Sequence, residues 1–516
     1  MLTGKLPFQC ATQMEMVQSH IARPPVPLHE IQPSIPEALS DIVLKLLSKD
    51  ADDRYQSGYG VAADLRICLE QFTANGRVER FPLGRKDPPL SLRMAQKLYG
   101  RENEREQLFG AFERVKKGGA ECLLVKGAAG IGKSALVGEV RRTMAKSQGY
   151  LITGKFDQRN RNTPGQCLAE AFRELTQQLL AEPDTELTRL RRAILEAVGS
   201  NGRVLTDHIP ELALVIGPQP PVPALAATEG ENRHRLSFQS FLRAVTAHRA
   251  PLVIFLDDLQ WADPASLKLL GHFLTDVGTS HLLVIGAYRE HEVDAGHILS
   301  LTLDAWRKRN AVIQSMTLNA LHEDEVVQLL ADTLGKEPAE VQSLARIMNE
   351  KTGGNPFFLG QLLKSFHAEG LLAFDHDAGG FRFDLEGIRS ARVADNVVEF
   401  MSAKIAKLDP ETQHILMIAA CVGHRFTAKV LSVVLSTSLA EVGRRLWSAL
   451  REGLVLPLDP SYRFLLDGAG EDSISAGGDV VFQFLHDRVQ QAVYSLLDEN
   501  ARCNAHLQIG RLLLRE

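Results

Sequence analysis

Eight residues, Gly-Ala-Ala-Gly-Ile-Gly-Lys-Ser at 127–134, have the composition and spacing to hold a polyphosphate. In the pattern G-x-x-x-x-G-K-S, the Walker A spacing, a strand hands over to a helix through a loop whose amides turn inward. Gly127, Gly130 and Gly132 permit the backbone angles this needs and leave room for phosphate oxygens. The start of the following helix adds its dipole. Lys133 has the reach for β- and γ-phosphates, and the Ser134 hydroxyl is placed to ligate Mg²⁺. Taken alone, the alternative reading is a flexible surface loop. The spacing is not G-x-G-x-x-G, which sets aside a dinucleotide-binding oxidoreductase.

A phosphate loop needs a second, acidic strand end, and LVIFLDDLQWAD (252–263) supplies one. Asp257 falls at the carboxyl edge of the apolar run, where Mg²⁺ would sit, and Asp258 follows in position to orient or deprotonate an attacking water. Two adjacent carboxylates ending a buried strand are costly without a cation or water to satisfy them; the alternative is a strand-end turn with solvated acids. Arg289, in VIGAYRE, ends the next apolar run and can contact a γ-phosphate and sense its loss, or be an ordinary exposed arginine. In LYGRENE (98–104), Gly100 and Arg101 either line the adenine side or form a simple helix N-terminal turn.

The elements that must position these residues follow from the apolar pattern. CLLVK (122–126), YLITGKF (150–156), LVIFLD (252–257), LLVIGAY (282–288) and VIQSMTL (312–318) are continuous apolar runs. That pattern predicts strands buried on both faces, hence a parallel sheet flanked by helices. After 318 the apolar spacing is near 3.6 and predicts helices. Four stretches punctuate the chain: a linker at 73–93, a proline-rich loop or insertion at 216–232, a hairpin tip at 375–384, and a Gly/Ser/Asp-rich exposed loop at 466–480 between two strands.

A chain of 516 residues holds about three or four domains, and its net charge of −5 offers no basic surplus for nucleic acid or acidic membrane. The six cysteines lie far apart, without a C-x-x-C pair, which argues against metal or disulfide frameworks and fits a reducing, cytoplasmic setting. No apolar run approaches the ~20 residues of a spanning helix, and MLTGKLPFQC has no signal-peptide core.

Taken in order, YGRE, GAAGIGKS, FLDDLQWAD, AYRE and KTGGNPFFL (351–359) resemble the signal-transducing ATPases with numerous domains, the STAND class of AAA+-like P-loop ATPases, over about 98–490. The resemblance implies a multidomain α/β and α protein: a P-loop NTPase core with a five-stranded parallel sheet (98–317), a helical lid and hairpin (318–395) and a winged-helix domain (396–497). It also implies that Pro356, in Gly354-Asn355-Pro356, packs against adenine, and that His486, in FQFLHDRVQQAVY (482–494), touches the β-phosphate of ADP; from the residues alone a histidine opening a helix is a cap or surface residue. Residues 396–490 carry few clustered cations beyond Arg444, Arg445 and Arg451, so a packing role is expected for the winged helix rather than DNA binding.

Residues 1–73 resemble the C-lobe end of a serine/threonine protein kinase, followed by a linker at 74–97; Arg54 aligns with the arginine that pairs with the glutamate of the A-P-E motif, which would lie before Met1. The glycine-rich loop, β3 lysine, H-R-D and D-F-G are absent from these 516 residues, so no kinase activity is expected of them. The combination resembles large bacterial proteins in which a kinase, this ATPase, a sensor module and a histidine kinase follow one another. ARCNAHLQIGRLLLRE (501–516) reads as an amphipathic helix with its apolar face unpartnered, within a helical array beginning at 498. The resemblance thus implies an ATP- and Mg²⁺-dependent, slowly hydrolysing regulatory switch acting on other protein domains or a signalling partner, with oligomerisation open. The alternatives are a non-catalytic scaffold holding ATP or ADP, or a kinase fragment.

Overall fold

The computed structural model describes residues 2–4, 6–8, 23–49, 53–85, 87, 92, 94–95, 97–144, 149–157, 165–246, 251–375, 380–391, 396–458, 462, 465 and 480–513. The chain divides into two compact units. One comprises Met1–Tyr99, Leu321–Gly354 and Phe358–Arg392; the other comprises Gly100–Ala320, Asn355–Phe357 and Val393–Glu516.

The second unit is built on a five-stranded parallel sheet. After helix α1 (Glu102–Lys116) come β1 (Ala120–Gly127), α2 (Lys133–Met144), β2 (Tyr150–Lys155), α3 (Gln166–Leu180), α4 (Ala227–Thr246), β3 (Leu252–Asp257), α5 (Pro264–Thr275), β4 (Leu282–Tyr288) and β5 (Val312–Leu318). The strand order is β2-β3-β4-β1-β5, with every pairing parallel. All five apolar runs are strands. β3 and β4 are buried along essentially their whole length, which explains their continuous Val/Ile/Leu composition. β5 departs from the expected burial on both faces: it is an outer strand, and only Met316 and Leu318 are buried.

Helices cover the sheet through a large aromatic core. Phe172 of α3 is fully buried and meets Phe238, Phe241 and Phe273 with ring centroids at 5.6, 5.9 and 6.3 Å. The proline-rich stretch 216–232 is not wholly a loop, because α4 begins at Ala227. Asp263, the last acid of the FLDDLQWAD run, is the N-cap of α5; it accepts from Ser266 N at 2.9 Å, with Pro264 at the first helical position.

In the other unit, helices Glu37–Leu46 and Gly58–Asn75 pack around Ala38, Ile42, Tyr55 and Cys68. Buried Asp64 accepts from Tyr55 Oη (2.6 Å) and Gly84 N (2.7 Å), while Asp87 accepts from Gln56 N (2.7 Å) and Ser57 N (3.0 Å). The stretch read as a linker is therefore tied down where it is described, because buried carboxylates need donors. Its end is held as well: Ala95 N donates to Thr333 Oγ1 (3.2 Å) and Tyr99 Oη to Asp332 (2.7 Å). Arg54 donates to the carbonyls of Ser48 (2.8 Å) and Lys49 (3.5 Å). Helices Glu323–Leu334 and Pro338–Thr352, α6 (Pro356–Ala368, whose first two residues belong to the sheet unit) and the antiparallel pair β6 (Leu372–Asp375) and β7 (Gly380–Phe383) follow. Of the expected hairpin tip at 375–384, Asp375 ends β6 and Gly380–Phe383 form β7, while 376–379 lie outside the described residues.

The C-terminal part of the sheet unit carries an antiparallel three-stranded sheet, β8 (Arg425–Thr427), β9 (Val455–Pro457) and β10 (Val481–Phe484), in the order β8-β10-β9, followed by α7 (Asp487–Ser495). Of the expected exposed loop at 466–480, between β9 and β10, residues 466–479 lie outside the described residues and Val480 is buried. Arg444 and Arg445 are occupied by Glu441 and, for Arg444, also Glu411. The last helix, Glu499–Leu513, corrects the expectation of an unpartnered apolar face. Ala505 and Ile509 are buried in the same core as Phe426, Phe482 and Phe484, leaving Leu507 exposed. Among the described residues no helix is long and apolar enough to cross a membrane.

Because Phe172 joins three other rings in the central layer, Phe172→Ala should lose about 3–5 kcal/mol of unfolding free energy, measured by urea denaturation of the full chain.

Candidate functional site

Strand register decides what meets at the carboxyl edge of the sheet. Lys155 pairs with Asp257, Lys126 with Tyr288, and Gly127 with Leu318. The ends of β2, β3, β4 and β1 therefore deliver Lys155, Asp257-Asp258, Arg289 and the phosphate loop to one edge, the place where ligands bind in open α/β sheets. The loop leaves β1 with Gly127, Gly130 and Gly132 at φ of 153°, 80° and 104°, angles open to glycine and strained for other residues. A Cβ on Gly127 would sit 2.8 Å from the Leu318 carbonyl oxygen, whereas one on Gly132 would meet open space. The open space beside Gly132 leaves room for a phosphate oxygen.

Lys133 begins α2 and is buried; its ammonium donates to the carbonyls of Gly127 (3.0 Å) and Ala128 (2.9 Å). Burial lowers its pKa, against the pull of Asp257 and Asp258. Ser134 Oγ donates to Asp257 Oδ2 at 2.9 Å, placing two hard oxygen donors together in a pair suited to Mg²⁺. Asp258 adopts a left-handed conformation (φ 53°), and the two carboxylates diverge: Asp257 faces Ser134, while Asp258 turns into the protein.

There Asp258 joins a cluster of buried charge. Its Oδ1 accepts from Gln260 Nε2 (2.8 Å) and lies 3.4 Å from Arg289; its Oδ2 lies 3.6 Å from Lys155 and, among the described residues, has no hydrogen-bond partner. Burial, followed by the carboxylates of Asp487 and Asp257, raises its pKa well above the usual carboxylate range. A buried carboxylate with an unfilled lone pair and raised basicity is chemically competent to accept a proton from water. Arg289 spans Asp258, Glu292 (2.8 Å) and Asp487 (3.2 Å) and lies over the Trp261 ring at 4.8 Å. Asp487, the first residue of α7, pairs with Lys155 and lies 3.2 Å from His424 Nδ1. Burial works to raise the Asp487 pKa, but Lys155 and the two neighbouring histidines hold it well below the ordinary value.

His486 is the N-cap of α7: its Nδ1 accepts from Arg488 N at 3.1 Å, and its ring stacks on Phe357 at 4.2 Å. Phe357 in turn donates its N–H to the Gly130 carbonyl (3.3 Å), and Asn355 Nδ2 donates to the Ala129 carbonyl (2.9 Å). Pro356 lies between two residues that touch the phosphate loop. The structure thus assembles Gly127, Gly130, Gly132, Lys133, Ser134, Asp257, Asp258, Arg289, Pro356 and His486 in one region. Arg101 is committed elsewhere: buried at the start of α1, it donates to the Asn319 carbonyl (2.5 Å) and pairs with Glu104 (3.7 Å).

Lys155, Asp487, His424 and Phe357 were not singled out from the sequence. A lysine ending a buried strand beside an acidic strand end was a readable signal for Lys155. Asp487 and His424 carry none, since Asp487 meets Lys155 and Arg289 from across the chain and His424 is placed only by Asp487.

A five-stranded parallel sheet in this order, with a glycine loop after β1 and acids ending β3, defines a P-loop nucleoside triphosphatase fold. Residues 97–285 match the sequence family described as AAA ATPase domain, a class that binds nucleotide, typically with Mg²⁺. It is similar to Hybrid signal transduction histidine kinase G of Dictyostelium discoideum, 28% identical over 618 residues, covering 100% of this chain and 18% of the other. It is also similar to Serine/threonine-protein kinase Pkn1 of Myxococcus xanthus, 32% identical over 71 residues, 14% of this chain and 10% of the other. The chain spans less than a fifth of the length of either curated relative. Among solved structures it is similar to a Signal Transduction ATPase with Numerous Domains (STAND) protein with a tetratricopeptide repeat sensor from Pyrococcus horikoshii: 13% identity, TM-score 0.40, 83% of this chain and 47% of that one.

Burial holds the His486 imidazole neutral, its pKa pushed down to about 4 although Asp487 works the other way. The unfolded imidazole takes its proton near pH 6.5. Between about pH 6.5 and 4 the unfolded state therefore binds the extra proton, and stability falls with pH by about 1.4 kcal/mol per unit. His486→Asn retains a capping oxygen without titrating. Urea titrations at pH 6.5 and 5.0 should show an acid loss smaller by about 2 kcal/mol than in wild type.

Proposed function

We propose that this chain is the ATP-binding, slowly hydrolysing switch of a larger signalling protein, whose nucleotide state biases the arrangement of its domains. One observation carries the reading. The two strand ends that would face a triphosphate, Asp258 and Arg289, share a buried ion cluster with Asp487, which opens a helix of the C-terminal three-stranded domain. Nucleotide chemistry and the position of that helix then draw on the same charges. The three-stranded sheet with its helices supports reading 396–497 as a winged helix that packs rather than binds DNA, with Arg444 and Arg445 held by glutamates.

In this proposal Lys133 leaves the carbonyls it holds and meets the β- and γ-phosphates, and the loop amides hold the phosphate oxygens. Ser134 and Asp257 hold Mg²⁺, which when bound supplies charge neutralisation at the phosphates. Asp258 orients the attacking water and takes its proton at Oδ2. Arg289 senses the γ-phosphate, Pro356 packs at the adenine and His486, protonated at Nε2 because Nδ1 accepts, donates towards the β-phosphate. Arg101 serves that edge indirectly, by fixing the chain after β5. The similarity to a hybrid signal transduction histidine kinase supports a signalling setting, with other protein domains as partners. The kinase-lobe reading of residues 1–73 belongs to this proposal, without kinase catalysis by these 516 residues.

A second reading, a scaffold holding nucleotide without turnover, is favoured by Arg289, whose guanidinium is already bound by three carboxylates. Turnover separates the two. Lys133→Ala should weaken binding of a fluorescent ATP analogue by roughly 10- to 100-fold. Asp258→Asn should leave that affinity within a few-fold and lower phosphate release by at least ~100-fold. Wild-type protein that binds ATP and releases no phosphate would establish the scaffold instead, and Lys133→Ala protein that binds and hydrolyses like wild type would remove both readings.

A further inference from the structure

The phosphate loop can be followed carbonyl by carbonyl. A trans peptide points its C=O and its N–H in opposite directions, so whatever holds a loop carbonyl also aims the next residue's amide. Lys133 Nζ holds the carbonyls of Gly127 and Ala128, at 3.0 and 2.9 Å. Asn355 Nδ2 holds the carbonyl of Ala129 at 2.9 Å, and Phe357 N–H holds that of Gly130 at 3.3 Å. Four consecutive peptide planes are thus oriented from their carbonyl side by two separate devices. The fit is close: a Cβ on Gly130 would lie 2.9 Å from Asn355 Oδ1 and 3.0 Å from Phe357 Cβ, so the glycine is required by this contact as well as by its φ of 80°.

The two devices are not equivalent. An ammonium that turns to phosphates can no longer hold the carbonyls of Gly127 and Ala128, whereas Asn355 and Phe357 carry no charge and have no such alternative. We infer that Asn355 is a positioning residue for the nucleotide site: its side-chain amide, together with the Phe357 N–H, keeps the amides of Gly130 and Ile131 aimed for anion binding once Lys133 has moved. This rests on the nucleotide-binding reading above. Asn355 also has a second duty, because its Oδ1 accepts from Phe357 N at 3.1 Å and so caps α6. The Phe357 ring stacks on His486, so the tripeptide Asn355–Phe357 touches both the loop and the start of α7.

The two duties of Asn355 are separable by chemistry. Asp and Ser retain a capping oxygen and lack the amide that reaches Ala129. Capping alone ranks Asn, Asp and Ser together above Ala; positioning places Asp, Ser and Ala together below Asn, with Ser the neutral control for the charge of Asp. The full chain carrying Asn355→Ser, Asn355→Asp or Asn355→Ala is titrated with N-methylanthraniloyl-ADP and Mg²⁺, and amide hydrogen exchange of peptides covering 127–134 is followed without nucleotide. All three variants should bind about tenfold more weakly than wild type. Exchange over 129–131 should rise in all three, while the nucleotide-free melting temperatures of the Ser and Asp variants fall less than that of the Ala variant, which also loses the cap. A Ser variant that binds and exchanges like wild type, or a loss confined to the Ala variant, overturns the inference. Wild-type protein that binds no nucleotide overturns the reading beneath it, and the exchange arm, which needs no ligand, still tests what Asn355 does to the loop.

Discussion

Burying several charges within a few ångströms of one another is costly unless each is paired, and removing one partner leaves the others unpaired. That constraint organises this protein. Lys155, Asp258 and Arg289 end three adjacent parallel strands, so the register of the sheet brings them together whatever else the chain does. Asp487, from the start of α7, pairs with both Lys155 and Arg289, which also face Asp258 and, for Arg289, Glu292.

The phosphate loop obeys a related constraint. Every buried backbone carbonyl must find a donor, and here the donors are Lys133 on one half of the loop and the Asn355–Phe357 tripeptide on the other. A lysine that satisfies its own loop holds that loop in shape, and in the proposed nucleotide-binding role it exchanges the carbonyl oxygens for phosphate oxygens. The site is thus pre-organised, which limits the ordering cost of binding.

His486 lies where these two systems meet. Its Nδ1 is taken by the backbone of α7, its face by Phe357, and its neighbour Asp487 by the ion cluster. The Phe357 ring, whose backbone touches the loop, and Arg289, which touches Asp258, contact adjacent residues of the same helix start, and the proposed switch rests on that juxtaposition. That convergence is what a two-state element needs if both inputs are to bias it.

Much of this was legible in the sequence because it is local. A glycine loop between strand and helix, two acids ending an apolar run, and five continuous apolar runs carry their meaning within a dozen residues, since side-chain period and backbone angles are short-range properties. The sequence alone thus determined the parallel sheet, the phosphate loop and the acidic strand end. The helix at 227 was obscured by prolines a few residues earlier, and the last helix was read as unpartnered because its partners, around Phe426 and Phe482, are distant in the chain. Only the tertiary structure decided the strand order, the pairing of Lys155 with Asp487 across 332 positions, and the grip of Asn355 on Ala129 across 226. Those depend on which surfaces meet after folding, and no periodicity or spacing along the chain encodes the distance between two residues that touch only through space.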